Sequence, residues 1–365
     1  MTLVYFNDII IFTQRVKAVI QVKLISKNGT ECLENKFLKI PNVQKFDFCH
    51  KTQNGCVVLV EMNDGYEFRI NLHTMQDAYP STVLQLVERL KESDEINVLV
   101  APYISERTAE LCEKNGIGYF DYVGNCWFIG HSLYLSEKGN KNLQPKRYKA
   151  NSVFERSSVV SSMILRELFV DISKPWRLKH LAEKVNCSIG LVSKVMNYLL
   201  KNAWVQKTLD GYLVLEPEEM LKTWSEAYHK KEVLFYSCYS LDAPGELEEK
   251  LRQMKKNTGI ECWLTGFSGG VRYAPVVRYN KVHLYIAPED IREAMEYLEM
   301  KEVDGGANVI LFPVEHESCV KDSRIINGDV VVSPVQAYLD CMSLKGRGEE
   351  LAEAILRKEI LNGNG

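Results

Sequence analysis

The chain has 365 residues, a length that predicts two or three domains. Its hydrophobic fraction of 46%, charged fraction of 25% and net charge of −3 are ordinary for a globular protein. No apolar run approaches the roughly 20 residues of a membrane helix. The start, MTLVYFNDIIIFTQRVKAVIQV, has acid and polar residues inside its apolar stretch, so we do not expect it to be a signal peptide. The ten cysteines form no CxxC pair, which argues against a zinc ribbon or a disulfide framework. We therefore expect a cytoplasmic protein with no membrane partner, no metal and no cofactor.

The charge is distributed unevenly along the chain. Between residues 141 and 215, thirteen lysines and arginines stand against five acidic residues, a net charge of +8 that leaves −11 for the rest. A basic segment in an otherwise acidic chain is typical of a module that binds phosphate groups. The alternative is a basic linker beside an ordinary domain.

Residues 1–140 have the pattern of an α/β domain. The strand-like runs KFDFCHK, GCVVLVEM and YEFRINL are separated by turns at Gln53-Asn54-Gly55 and Asn63-Asp64-Gly65, which predicts an antiparallel meander. The elements predicted after it are a helix from Pro80 to Glu92, a buried strand from Asn97 to Ala101, a helix capped by Ser105 and ended by Gly116, and strands from Ile117 to Phe120 and Cys126 to Ile129. Together they predict a mixed sheet crossed by a helix.

Residues 141–153 are polar, basic and rich in turn formers, and we interpret them as a linker. Residues 154–230 predict a winged helix-turn-helix. Its elements are a helix from Phe154 to Val170, a short helix from Arg177 to Val185, a turn at Asn186-Cys187-Ser188, a second helix from Ile189 to Ala203, a hairpin around Leu209-Asp210-Gly211, and a closing helix from Pro217 to Lys230.

The helix from Ile189 to Ala203 is the one predicted to enter the major groove of DNA, because it is the second helix of the motif. Its apolar positions define one face and leave polar residues on the other. The predicted DNA contacts are Ser188, Gly190 and Ser193 for close approach to bases or phosphates, Lys194 and Asn197 for base readout, and Arg177, Lys179, Lys201 and Lys207 for phosphates. The alternatives are that this unit docks a protein, or that its polar face is simply solvated.

Residues 231–365 predict a C-terminal α/β domain. VLFYSCYS, KVHLYIA, NVILFPV and DVVVSPV have the pattern of strands, and CWLTGFSGGVRYAP that of a strand entering a Gly-rich turn. Helices are predicted from Ala243 to Asn257, Pro288 to Met300, Pro334 to Ser343 and Arg347 to Leu361.

Three segments carry a resemblance to a known family. They are GYFDYVGNCWF, LTGFSGGVRYAP (Leu264 to Pro275) and VVSPVQAYLDCMSLKGRGEELAEAIL (Val331 to Leu356). In this order around a winged helix, they resemble the AbiEi-type transcriptional regulators, the antitoxin family of type IV abortive-infection systems. The resemblance covers most of residues 95 to 360. It implies a protein that represses its own operon and opposes a nucleotidyltransferase toxin.

The family's N-terminal part is similar to the restriction-endonuclease-like fold, so a nuclease is an alternative. Such a site needs an Asp, and then an acid and a Lys spaced E-x-K on the next strand, to hold Mg²⁺. Asp47 is a candidate for the first acid. On the strand from Glu67 to His73, however, Arg69 and Asn71 occupy the other two positions. We therefore expect a catalytically inactive domain with no metal site.

Nucleotidyltransferases place a Gly-Ser turn before a strand that carries D-x-D for two metals, and Gly266-Phe267-Ser268-Gly269 is a candidate for that turn. The next predicted strand, Lys281-Val282-His283-Leu284-Tyr285, has no acid. A nucleotidyltransferase-like C-terminal domain would therefore be a catalytically silent copy. The alternative is that the Gly-rich turn allows close backbone approach or holds a partner.

Other candidate sites favour structural roles. His316 with Cys319, and Cys49 with His50, lack a second ligand pair at a metal-site spacing. Asp121 and Asn125 flank a glycine in a sharp turn, and Ser333-Pro334 has the pattern of a helix cap.

The predicted architecture is an N-terminal restriction-endonuclease-like mixed-sheet domain, a central winged helix-turn-helix and a C-terminal α/β domain. The predicted function is that of a DNA-binding transcriptional regulator rather than an enzyme, namely an autoregulating antitoxin-type repressor. Its expected partners are double-stranded DNA, a nucleotidyltransferase toxin and a second copy in a homodimer. The alternatives are a protein-interaction module that neutralises a partner through the C-terminal domain, and a metal-dependent nuclease.

Overall fold

A mixed seven-stranded sheet, with its strands in chain order, forms the first of two compact units, residues 1–148. The computed structural model describes residues 33–34, 36–52, 55–90, 95–130, 133–141, 153–229 and 233–362. The strands of this sheet are β1 Val43–Thr52, β2 Gly55–Met62, β3 Glu67–Thr74, β4 Ile96–Ala101, β5 Gly118–Asp121, β6 Cys126–Gly130 and β7 Leu133–Glu137. The same unit contains the helices α1 Pro80–Leu90 and α2 Glu106–Lys114.

The sheet is antiparallel at both edges and parallel in its centre. β1, β2 and β3 form the expected meander, while β3, β4 and β5 are parallel. Parallel neighbours need a crossover connection, and α1 and α2 supply it. β5, β6 and β7 are again antiparallel. The sequence pattern does not predict strand β7, and residues 53–54 of the first predicted turn lie outside the described residues.

The second unit, residues 149–365, contains another seven-stranded mixed sheet. Its strands are β10 Tyr236–Tyr239, β11 Cys262–Thr265, β12 Val282–Ile286, β13 Lys301–Glu302, β14 Val309–Pro313, β15 Arg324–Ile326 and β16 Asp329–Val331. Across the sheet they lie in the order β13-β10-β14-β12-β11-β16-β15. The confirmed part of the predicted fold class is its mixed α/β character. The likeness of the two units to an endonuclease and to a nucleotidyltransferase stays a prediction.

Helices precede and surround this second sheet. In chain order they are α3 Val159–Val170, α4 Leu178–Val185, α5 Ile189–Lys201, α6 Pro217–Tyr228, α7 Pro244–Thr258, α8 Gly266–Tyr273, α9 Ile291–Tyr297, α10 Pro334–Met342 and α11 Gly348–Ile355, which continues as a π-helical segment, Leu356–Leu361. A two-stranded antiparallel sheet, β8 Val205–Lys207 and β9 Tyr212–Val214, lies between α5 and α6. No described helix is long and apolar enough to cross a membrane.

The helices α3 to α6 and the second sheet share one hydrophobic core. Buried residues of α5 and α6, such as Leu199 and Trp224, belong to the same cluster as Leu284 of β12 and Leu339 of α10. The predicted segments 154–230 and 231–365 therefore lie in a single compact unit. Most of the predicted linker, residues 142–152, lies outside the described residues.

The prediction of a Gly-rich turn at Gly266-Phe267-Ser268-Gly269 is wrong, because these residues begin helix α8. The glycines are needed there for packing. A Cβ on Gly269 would lie 2.5 Å from the Leu264 carbonyl oxygen, and one on Gly270 would lie 2.7 Å from Leu351 Cδ2. Helix α8 can therefore lie directly against β11 and α11 only without these side chains.

We expect Gly269→Ala to lower the free energy of unfolding by about 1–3 kcal/mol, because the nearest atom is backbone that cannot swing aside. Urea unfolding monitored by circular dichroism measures the change. Gly245→Ala is the matched control, since nothing lies within 4 Å of its added Cβ in the first turn of α7. The control should be neutral, or stabilising by up to about 1 kcal/mol. Equal midpoints for both variants would contradict close packing of α8.

His283 on β12 makes the stability depend on pH. Its side chain is 3% exposed, and burial lowers its pKa to about 4, whereas a histidine in an unfolded chain titrates near about 6.5. Between these values the unfolded chain binds a proton that the folded protein does not. The contribution of His283 to the free energy of unfolding is thus complete above pH ~6.5, and it falls as the pH drops towards ~4.

From this difference we expect a loss of about 2 kcal/mol on going from pH ~7.5 to pH ~5, on the order-of-magnitude scale of one pKa unit per 1.36 kcal/mol. Urea unfolding at both pH values would measure it. His283→Leu removes the titrating group and should flatten the pH dependence by that amount. An unchanged pH dependence in the variant would assign the acid lability to other groups.

Candidate nucleic-acid interface

Helices α4 and α5 are joined by a tight turn whose geometry follows from three residues. Asn186 ends α4 in the left-handed conformation, with φ of 53°, which asparagine tolerates better than most residues. Cys187 follows in the turn and is half-buried, and burial raises the pKa of its thiol. Ser188 then begins α5, and its Oγ accepts a hydrogen bond from Leu191 N at 3.2 Å. The turn therefore holds the two helices at a defined angle.

Helix α5 has one buried and one exposed face. Val192, Val195, Met196 and Leu199 are buried, and they pack in the core beside α3 and α4. On the other side Gly190, Lys194, Asn197 and Lys201 are exposed, while Ser193 is half-buried. Gly190 has open space around it, since a Cβ there would meet nothing nearer than 4.0 Å.

Two of the predicted contact residues on α5 contact each other. Asn197 Nδ2 donates to Ser193 Oγ at 3.4 Å, a pairing at the i, i+4 spacing of a helix surface. Ser188 Oγ is already an acceptor in the helix cap. The hydroxyl hydrogens of Ser188 and Ser193, and the second amide hydrogen of Asn197, are the donors that these side chains can still offer.

The hairpin β8–β9 is held against the segment before α4. Trp176 N donates to Tyr212 O at 2.8 Å and Tyr212 N donates to Trp176 O at 2.9 Å, so this segment pairs with β9 as a further strand would. At Gly211, φ is 146° and a Cβ would lie 2.6 Å from the Trp176 carbonyl oxygen. A side chain is therefore excluded there. Sequence pattern does not predict this pairing, because the two segments are separated by 35 residues and only their proximity in space reveals it.

The remaining predicted phosphate contacts are exposed residues near the hairpin or on α4. Arg177 Nε donates to the Asp210 carbonyl oxygen at 3.2 Å in the hairpin turn. Lys179 Nζ lies 3.9 Å from Glu183 Oε1 on α4, and Lys207 is exposed on β8. Exposed ion pairs of this kind contribute about 0–1 kcal/mol. These side chains can therefore give up their ion pairs and bind phosphates with little loss of free energy.

Among the described arginines and lysines of this basic segment, two do not belong to its surface. Arg156 is 7% and Arg166 3% exposed, and both lie in the core of the second unit. Arg156 Nε is bound to Glu315 Oε2 at 2.9 Å. Composition counts such residues as surface charge because it cannot distinguish buried from exposed arginines. By contrast, Leu209 at the hairpin tip is fully exposed, although it is apolar.

The residues considered for a nuclease lie on one face of the first sheet. Asp47 stands opposite Leu59, and Leu59 stands opposite Arg69. Asp47 is bound to Lys45 at 2.5 Å, and Asn71 Nδ2 donates to Glu95 Oε2 at 2.5 Å. Among the described residues no group of three or more His, Cys, Asp or Glu side chains could hold a metal ion. The side chain of His50, paired with Cys49 in the sequence, lies outside the described set.

Asp121 organises the sharp turn between β5 and β6. Its Oδ1 accepts from the backbone N of Val123 at 3.1 Å and of Asn125 at 2.8 Å, and its Oδ2 accepts from Ile104 N at 3.2 Å. Burial raises its pKa, against the opposing effect of these hydrogen bonds. Asn125 Nδ2 also donates to Oδ2, at 2.8 Å, so both oxygens of this carboxylate have donors within the turn, and Ile104 adds one from outside it.

The remaining candidates lie in the second unit. Ser333 Oγ accepts from Gln336 N at 3.3 Å and so caps α10. Cys319 is buried beside the Tyr228 hydroxyl, 3.8 Å from it. In α10, Gln336 and Asp340 belong to a buried hydrogen-bond network. Gln336 Nε2 donates to Asp340 Oδ1 at 2.7 Å, and the hydroxyls of Tyr285 and Thr265 donate to Asp340 as well.

The fold and this site define a mixed α/β protein that carries a small helix–turn–helix and hairpin unit with a basic exposed face. Residues 213–361 match the model of the AbiEi_2 family, described as "Transcriptional regulator, AbiEi antitoxin, Type IV TA system". This match confirms the predicted resemblance for the C-terminal part of the chain. The matched segment begins within β9, so the predicted contact residues, from Arg177 to Lys207, precede it.

Similarity to other known proteins is slight. No match was found among curated proteins. One solved structure, "Structure of EndoMS in apo form", is similar at 21% identity over 26% of this chain and 45% of that chain, with a TM-score of 0.17. The match thus spans less than half of that protein, and a TM-score this low does not support a shared fold.

Proposed function

We propose that this chain is a DNA-binding transcriptional regulator in which α4, α5, β8 and β9 form a winged helix-turn-helix. The observation that carries the proposal is the exposed polar face of α5, backed by a buried face and flanked by a hairpin. A helix with its side chains is about 10–12 Å across, and the major groove of B-DNA is about 12 Å wide. Helix α5 therefore has the size and the surface to enter the groove.

In this proposal the exposed residues have different roles. Lys194 and Asn197, at the middle of α5, face the base edges, where a lysine donates to guanine and an asparagine pairs with adenine. Ser188, Gly190 and Ser193 allow the start of α5 to approach the DNA closely. Positive side chains around this helix bind phosphates and set its register on the duplex, namely Arg177, Lys179, Lys201 and Lys207.

The family description supports the rest of the proposal. A transcriptional regulator that is also an antitoxin would repress its own operon and oppose a toxin, which we propose to be a nucleotidyltransferase. We further propose that it binds DNA as a homodimer, since helix-turn-helix dimers read two half-sites about one helical turn apart.

Fluorescence anisotropy on the DNA upstream of the protein's own coding sequence, and on a scrambled duplex, tests the proposal. We expect tighter binding to the upstream DNA, with an affinity that falls steeply as salt rises, because each phosphate contact releases counterions. The slope against log salt counts the contacts, at about 0.9 per phosphate. Equal and weak binding to both duplexes at low salt would refute DNA regulation.

The second candidate function is neutralisation of a protein partner through the C-terminal domain. It is favoured by the position of the family match, which covers the second sheet and excludes α4 and α5. Size-exclusion chromatography with a purified nucleotidyltransferase toxin from the same operon tests it. Co-elution that survives alanine substitution of Lys194 and Asn197 would place the partner on the C-terminal domain.

A further inference from the structure

A cavity of about 220 Å³ lies where the end of α3 meets the beginning of α10. We call it the Arg166 cavity. Its lining residues include Arg166, Val170, Asp322, Arg324, Ser333 and Glu359. All of them belong to the second unit, and none is among the predicted DNA contacts. Its volume is below the roughly 300–1,000 Å³ of drug-sized ligand pockets, so a ligand there must be small.

The unusual feature of this cavity is an arginine with unused donors. Arg166 is 3% exposed, and its Nη2 donates to Gln336 Oε1 at 2.5 Å. Its Nε and Nη1 are covered from solvent and have no hydrogen-bond partner among the described residues. A buried cation with unsatisfied donors is unfavourable, although the Arg166 guanidinium also lies 5.5 Å from the Trp224 ring. An anion in the cavity would offset that cost.

The first turn of α10 also lines this cavity. Ser333, Pro334 and Val335 lie there. Pro334 has no N–H and the N–H of Gln336 is bound to Ser333 Oγ, so the donor that this turn can offer is the N–H of Val335. The positive end of the helix dipole points in the same direction. A helix start and a buried arginine with free donors therefore meet at one cavity.

The other charges on the cavity wall are largely balanced. Arg324 Nη1 is bound to Glu359 Oε2 at 3.0 Å, and Asp322 is exposed. The acid next to Arg166 in the chain, Glu167, is bound instead to Lys321 at 3.1 Å and to Lys184 at 3.5 Å. Within the described part of the chain, Arg166 is thus hydrogen-bonded to the neutral amide of Gln336 and to no carboxylate.

From this geometry we propose that the Arg166 cavity binds a small oxyanion, such as the phosphate or carboxylate group of a small metabolite. Its oxygens would accept from Nε and Nη1 of Arg166 and from the N–H of Val335 in the first turn of α10, after the side chains that cover the Arg166 nitrogens move aside. Planar, forked donors of arginine suit both groups. The site is independent of the proposed function, because it uses no residue that is proposed to contact DNA.

Isothermal titration of the full chain with inorganic phosphate, and separately with acetate, at constant ionic strength tests the proposal. We expect saturable one-to-one binding of at least one of these anions, and the stronger one identifies the chemistry. Arg166→Gln removes the forked donors and should weaken binding at least tenfold. Arg357→Gln is the matched control, because Arg357 is exposed, paired with Glu353 and outside the cavity lining; its binding should equal that of the unmodified protein.

A second variant keeps the test decisive if Arg166→Gln does not fold. Val170 lies at the rim and is 51% exposed, so Val170→Glu leaves the core intact and places a carboxylate that competes for the site. We expect it to weaken anion binding at least tenfold as well. Binding of equal strength in Val170→Glu and in the unmodified chain, or no saturable binding of either anion by the unmodified chain, would overturn the proposal.

Discussion

Replacing Lys194 with alanine is expected to weaken binding to the specific DNA site by about 1–3 kcal/mol, or roughly 5- to 150-fold. Lys194 is exposed in the middle of α5, on the side away from Val195 and Met196, which are buried. If its ammonium group donates to a base edge, removing that hydrogen bond reduces the discrimination between sequences. Fluorescence anisotropy on specific and scrambled duplexes at one fixed salt concentration measures both the weaker binding and its selectivity.

Two control variants distinguish the loss of a base contact from the loss of a positive charge. Lys256→Ala makes the same change in net charge at an exposed position of α7 and should leave the affinity nearly unchanged. Arg177→Ala removes a proposed phosphate contact, so it should weaken binding to both duplexes equally and lower the salt slope by about 1. If Lys194→Ala behaves like Arg177→Ala, Lys194 contacts a phosphate. If it behaves like Lys256→Ala, α5 does not lie in the groove.

Trp224→Ala is expected to lower the free energy of unfolding by about 3–5 kcal/mol. Trp224 is fully buried on α6. Its ring stacks near Phe154 and Phe169, with centroid distances of 6.3 and 6.5 Å, and the Arg166 guanidinium lies 5.5 Å from it. Truncation leaves a cavity in the core shared by α3, α6 and the second sheet.

The same variant tests whether the second unit unfolds as one. Because helix α5 and strand β12 belong to a single core, their amides should lose hydrogen-exchange protection together in Trp224→Ala. Urea unfolding followed by circular dichroism measures the total loss of stability. Leu209→Ala is the control, since Leu209 is fully exposed at the hairpin tip and its change should stay within about 0.5 kcal/mol. Amides of α5 that exchange early, while those of β12 stay protected, would show two independently folding domains.

Local pattern was sufficient to predict much of the secondary structure. Apolar spacing in α5 and the Asn186–Ser188 turn follow from residues within one or two helical turns of each other. The Asp-Gly pair at Asp210 likewise predicts the hairpin between β8, which ends at Lys207, and β9, which begins at Tyr212. In each case the deciding interactions are made between neighbours in the chain, so the sequence contains them in full.

Glycine-rich segments are harder to predict because one composition suits two conformations. The composition of residues 266–270 predicts a turn, yet they begin helix α8. Glycine destabilises an isolated helix by about 1 kcal/mol relative to alanine. Here that cost is offset because the helix packs against β11 and α11. Strand β11 directly precedes the helix, but α11 lies about eighty positions further along the chain. Strand β7 was likewise recognisable only from its pairing with β6.

The mixed α/β character, the order of elements around α5 and the polar face with the proposed DNA contacts can all be predicted from the amino-acid sequence. These depend on periodicity and on turn chemistry, which are local. Two features become visible only in the folded protein. Arg166 is buried beside Gln336, 170 residues away, and α3 to α6 share a core with the second sheet. Burial and long-range pairing are properties of the packed chain. The physical reason is that a side chain's solvation depends on every segment that covers it, and residue type alone does not specify those segments.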